Sequence, residues 1–184
     1  MNPIRESGSA NAIYLFILLP RYKILVCQVC QFGCLADEVT THLRTRHHDI
    51  ELHSRRKLVE KIQKLPDVLR SQSQLDKLRY PPQTTEPIAC LGEEKTDGLK
   101  CRACGLILRQ IQKIQAHCVQ SHSWVNPRCK GRPTSCGTAA RIWALARDKL
   151  PWIAGVACQR FFPSRAGNRW FEVSPNTTRQ EKGK

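Results

Sequence analysis

Two stretches of this chain set cysteine and histidine in the same order and at nearly the same intervals. The first reads Cys27-x2-Cys30-x11-His42-x4-His47, the second Cys101-x2-Cys104-x12-His117-x4-His122. A thiol pair followed by an imidazole pair is a donor set for zinc, whose borderline-soft character suits sulfur and nitrogen in a tetrahedron. The other use for ten cysteines, a disulfide framework, has no need of paired histidines. Four protein donors leave no place for water, so both sites read as structural, with two Zn2+ ions in the chain.

The flanking residues support this reading. Leu99, Leu108 and Ile114 occupy the positions that close the core of a ββα zinc finger around the second site. Leu25, Cys34 and Val39 occupy them around the first. There the spacing leaves the fourth ligand open between His47 and His48. Cys34 reads as a small buried filler, with ligand substitution as the alternative. Units this small bury too little surface to fold alone. Zinc supplies roughly 10–16 kcal/mol in comparable peptides, so folding and metal binding are one event.

The rest of the chain divides around these fingers. Residues 1–21 are an N-terminal tail, 22–50 the first finger, 51–80 a helical connector and 81–97 a linker. Residues 98–125 form the second finger, 126–173 a basic aromatic region and 174–184 a disordered tail. Leu58, Val59, Ile62 and Leu65 make one apolar stripe at helical spacing. Val68, Leu69, Leu75 and Leu78 suggest a second short helix after Pro66. The expected fold class is small α+β zinc-stabilised modules: two ββα-like fingers joined by a helical segment, with an irregular basic C-terminal region.

The apolar run Ala12 to Leu19 is too short to span a bilayer, which takes about 20 residues. It lacks a small-residue cleavage site, and Glu6 weakens a signal-peptide reading. Tyr14, Phe16 and Ile17 suit a buried strand equally well. Metal thiolates suit a reducing compartment, so the chain is expected to be intracellular.

Lys and Arg total 30 against 15 Asp and Glu, a formal net charge of +15. That excess favours polyanionic partners, nucleic acid above all, and with it a nuclear location. The plain alternative is a solvated basic surface. In the second finger the base-reading positions fall on Gln110, Lys113 and Ala116, with Gln112 beside them, and Gln and Lys suit purine edges. In the first they fall on Leu35, Glu38 and Thr41, with Asp37 alongside, a poor match to a phosphate-lined groove. The 53 residues between His47 and Cys101 exclude a continuous reading array. After the second finger, Arg128 and Lys130 lead into a Gly131-Arg132-Pro133 core that resembles an AT-hook; a basic loop is the alternative.

These blocks together resemble the fungal family named for the orsellinic acid biosynthesis cluster protein D. The matching stretches are Leu25–His47, Gly98–His122, Trp124-Val125-Asn126-Pro127, Gly131-Arg132-Pro133, Trp152, Cys158-Gln159-Arg160-Phe161-Phe162 and Phe171-Glu172-Val173. They cover about residues 22–173. The resemblance implies a zinc-finger protein of poorly defined role, with relatives that extend well beyond this cassette.

Two functions are therefore expected to compete. One is DNA binding through the second finger and the basic segment after it. The other is a protein-interaction module in which the fingers are scaffolds and the 55–78 helices meet a partner. No membrane or small-molecule partner is evident. Cys90, Cys118, Cys129, Cys136 and Cys158 bring no Cys–His–acid set with them, so no enzyme is expected.

Overall fold

The computed structural model describes residues 12–83, 85–125, 150–164 and 167–174. The chain divides into two compact units, 1–93 with 159–184, and 94–158.

The first unit is built on an antiparallel meander of β1 (Ala12–Ile13), β2 (Phe16–Leu19), β3 (Ile24–Cys27) and β4 (Phe32–Cys34), paired in chain order. The apolar run at 12–19 is thus a hairpin, with Ile13 opposite Phe16. Pro20, which cannot donate to a ladder, ends β2. Lys23, at φ 57°, turns the chain into β3.

All four β3 side chains are buried because both faces of the strand are covered. Strand alternation sends Leu25 and Cys27 to one face, where they share a core with Val39 and Leu43 of α1 (Val39–Arg46) and Leu58 and Ile62 of α2 (Leu52–Gln63). On the other face residues 159–164 and 167–174 return. The Gly33 N–H donates to the Phe161 carbonyl at 2.6 Å, and the Phe161 ring lies 5.0 Å from Tyr22 and 4.8 Å from Phe171.

The apolar stripe expected over Leu58–Leu65 is the buried face of α2. Arg70 closes the helix end, donating to the carbonyls of Gln63 at 2.9 Å and Leu65 at 3.1 Å. The second short helix is a 3-10 stretch, Gln72–Lys77, too tightly wound to extend far. The Pro-rich stretch beyond is held by Gln159. Its buried amide donates to the carbonyls of Ile88 and Gly92 and accepts from the Ile88 N–H.

In the second unit β5 (Lys95–Cys101) pairs on one side with β6 (Ile107–Leu108) and on the other with β7 (Trp152–Arg160), and α3 (Ile111–His122) packs on β5 and β6. A last short strand, β8 (Trp170–Glu172), lies in the first unit.

Two expectations are corrected here. The fingers are not simple ββα units, because the first hairpin is widened by β1 and β2 and the second by β7. The C-terminal region is not irregular where it is described, since β7 and β8 lie within it. The physical reason is shared: a two-stranded ribbon leaves bare N–H and C=O edges, and a neighbouring apolar segment satisfies them. No described helix is long and apolar enough to cross a membrane.

Two candidate metal centres

Each centre is assembled from a hairpin turn and the helix that follows it. Cys27 ends β3 and Cys30 lies in the turn to β4, while His42 and His47 come from α1 and its C-terminal cap. Cys101 ends β5, Cys104 lies in the turn to β6, and His117 and His122 lie on α3. The turns fold alike. The fourth residue after the first cysteine donates its N–H to that cysteine's carbonyl, Gln31 at 2.7 Å and Gly105 at 2.9 Å. Both residues have left-handed backbones, φ 56° and 72°.

The structure brings together the donor sets Cys27, Cys30, His42, His47 and Cys101, Cys104, His117, His122. In each, the donor atoms lie within 4.8 Å of one another. Cys27 Sγ and Cys30 Sγ lie 3.3 and 3.5 Å from His47 Nε2, and Cys104 Sγ lies 3.2 Å from His117 Nε2. Zinc bonds of about 2.3 Å to sulfur and 2.0–2.1 Å to nitrogen predict a tetrahedral S···N edge of about 3.5 Å. The observed edges are close to that length.

A further observation points to the ion. His42 Nε2 and His122 Nε2 are buried and have no hydrogen-bond partner among the described residues. A buried polar nitrogen left unpaired costs roughly 1–3 kcal/mol, and a metal bond removes that cost. Burial, then His47 and Arg46, pull His42 down to about 4, which keeps its imidazole in the neutral form that ligates. Burial and the neighbouring Cys27 push the Cys30 thiol up to about 11, so an ion must displace its proton. Two structural Zn2+ ions fit these donors, and four protein ligands each would close both sites.

The open question at the first centre resolves to His47. It is buried against both sulfurs, whereas His48 is exposed. Cys34 stays outside the donor set. Its thiol donates to the Leu35 carbonyl at 3.6 Å, and burial pushes it up to about 12. The six expected core positions all pack around the centres. Leu25 stands opposite Cys34 and Leu99 opposite Leu108, with Val39 and Ile114 fully buried.

Two residues at the second centre escaped the sequence reading. Cys118 is fully buried in the same cluster as Cys101. Helical phase could have found it, because it sits one residue after His117 and four before His122. Trp152 stands opposite Cys101 in the β5–β7 ladder and meets Trp124 edge-on at 5.3 Å, covering the site. Nothing local to the finger signals that pairing. Ser121 Oγ, 3.4 Å from His117 Nδ1, steadies the ring from the next turn.

The reading positions of the two fingers differ. Gln110, Gln112, Lys113 and Ala116 are exposed along the start of α3. Arg109 beside them forms a two-point ion pair with Asp97, at 2.6 and 2.8 Å, which holds that carboxyl below its usual range. In the first finger Leu35 is buried and Glu38 accepts a hydrogen bond from Gln72 at 2.9 Å, so neither is presented to a groove. Arg128, Lys130 and Arg132 lie outside the described residues.

No curated protein and no solved structure matches the chain. One family model does, over residues 14–123. That range holds both donor sets and covers more than half of the chain, though it stops before the C-terminal blocks that share the resemblance. The chain thus belongs to the family described as Orsellinic acid/F9775 biosynthesis cluster protein D.

Proposed function

We propose that this is a nucleic-acid-binding protein, built on two structural zinc sites, that contacts DNA through the outer face of α3. The observation that carries this reading is the exposure of Gln110, Gln112 and Lys113 at the start of that helix. Those are the positions from which a finger reaches base edges, and Gln and Lys are side chains that pair with purines there. Arg128, Lys130 and Arg132 follow in sequence and add positive charge, and the net charge of +15 supplies attraction to phosphate. The first centre serves as a scaffold. Its closed donor set, like that of the second, supports a structural rather than a catalytic role. A nuclear location goes with this reading.

One finger cannot specify a long site, so binding should show little sequence preference and strong dependence on salt. Fluorescence anisotropy of the zinc-loaded chain with a short labelled duplex, taken over a salt series, tests it. Lys113→Ala should lower the log–log salt slope by about one, as expected for one lost phosphate or base-edge cation. Absence of binding at low salt, with both zinc sites filled, refutes the proposal.

A further inference from the structure

A groove of about 620 Å3 runs between the β1–β2 turn and α2, sharing no residue with either donor set. Its floor is apolar: Ile13, Leu58 and Leu65. Its rim carries Tyr14, Lys57 and Lys61. On α2 the positions 57, 58 and 61 fall on one helical face, with the lysines a turn apart, and Leu65 follows just past the helix end. No ion pair reaches Lys57 or Lys61 among the described residues, and the nearby acid Glu60 is bonded instead to Lys64 at 2.6 Å.

Tyr14 is unusual for its place. It occupies a two-residue hairpin turn at φ 53°, a conformation that favours Gly, Asn or Asp, and the residue is 64% exposed. Gln28 pins that turn, its Nε2 donating to the Tyr14 carbonyl at 2.9 Å. An aromatic ring held at a groove mouth at the expense of backbone comfort has the character of an interface anchor.

We infer that this groove docks an acidic amphipathic segment of a partner protein. The segment lays apolar side chains along Ile13, Leu58 and Leu65 beside the Tyr14 ring, and sets carboxylates against Lys57 and Lys61. An apolar floor offers nothing to a phosphate backbone, whereas apolar anchors flanked by acid match both floor and rim. This inference does not depend on DNA binding by α3.

The test uses the full zinc-loaded chain and a labelled synthetic helical peptide with Leu at i, i+3 and i+7 among glutamates. A scrambled peptide of equal composition and charge is the control, and duplex DNA is the second probe. The patterned peptide should bind about tenfold more tightly than the scrambled one. Lys57→Glu with Lys61→Glu should weaken it about tenfold, and Tyr14→Ala by a similar factor, with two zinc ions retained in both and DNA affinity unchanged in Tyr14→Ala. Equal binding of both peptides would overturn the inference, leaving only the effect of net charge. So would loss of DNA rather than peptide binding in the lysine variant, or self-association of the chain abolished by these variants. Failure of DNA binding with peptide binding intact would sink the α3 reading alone.

Discussion

Removing one ligand should have unequal consequences at the two centres, because they sit in cores of unequal size. Around the second, the buried cluster is Cys101, Ile114, Cys118 and Trp152. Its two large side chains contribute about 3–6 kcal/mol at roughly 1.5–3 kcal/mol each. A structural zinc site supplies about 10–16 kcal/mol, so the ion dominates there. Around the first, Phe16, Leu25, Val39, Leu43, Leu58 and Ile62 are all buried in one cluster. On the same scale they contribute about 9–18 kcal/mol, comparable with the ion itself. The matched perturbations are Cys104→Ser and Cys30→Ser, each at the less buried cysteine of its turn. Zinc content, measured on the purified variants by mass spectrometry, should fall from two to one in both. Tryptophan emission should shift to the red in Cys104→Ser, since Trp124 and Trp152 pack beside that centre. Far-ultraviolet circular dichroism of Cys30→Ser should keep most of its helical signal, because α2 still has its apolar face covered. Two zinc ions retained by Cys104→Ser would refute the ligand assignment. Equally complete unfolding of both variants would refute the argument from core size.

Three further substitutions probe the frame around the sites. Gly105→Ala meets no atom within 4 Å, so its effect is purely that of a left-handed backbone at φ 72°. It should cost about 1–2 kcal/mol, read as a roughly tenfold loss of zinc affinity by chelator competition. Gly98→Ala would place its methyl 2.5 Å from the Val156 carbonyl oxygen, at the bulge where β5 meets β7. It should lower the urea midpoint of the second unit by an amount worth about 2 kcal/mol or more. Gln159→Leu strands the Ile88 N–H and the Gly92 carbonyl inside the first unit. A loss of about 2–4 kcal/mol in urea unfolding is expected, and an unchanged midpoint would show that water replaces the amide.

What could be read in advance follows the range of the forces involved. The donor sets and the core positions Leu25, Cys34, Leu99 and Leu108 were legible because metal geometry and finger spacing act over a few residues. The choice of His47 over His48 was not, since it depends on α1 ending at Arg46 and on which ring then faces inward. The place of β7 was hidden for a different reason. Cys101 and Trp152 stand 51 positions apart in the sequence, and no local pattern declares a partner that far away. The apolar run at 12–19 showed strand character without revealing that it folds back as a hairpin and joins β3.

The pairing of β5 with β7 also has a consequence for synthesis. The hairpin, its ligands and α3 are complete once His122 has left the ribosome, and the site can take up zinc at that point. The outer edge of β5 then stays uncovered until residues 152–158 emerge. For that interval the nascent chain exposes a row of unsatisfied backbone groups next to a newly metallated centre. An uncovered strand edge of this kind invites mispairing, and it is open in the window between the second finger's metal loading and the arrival of β7.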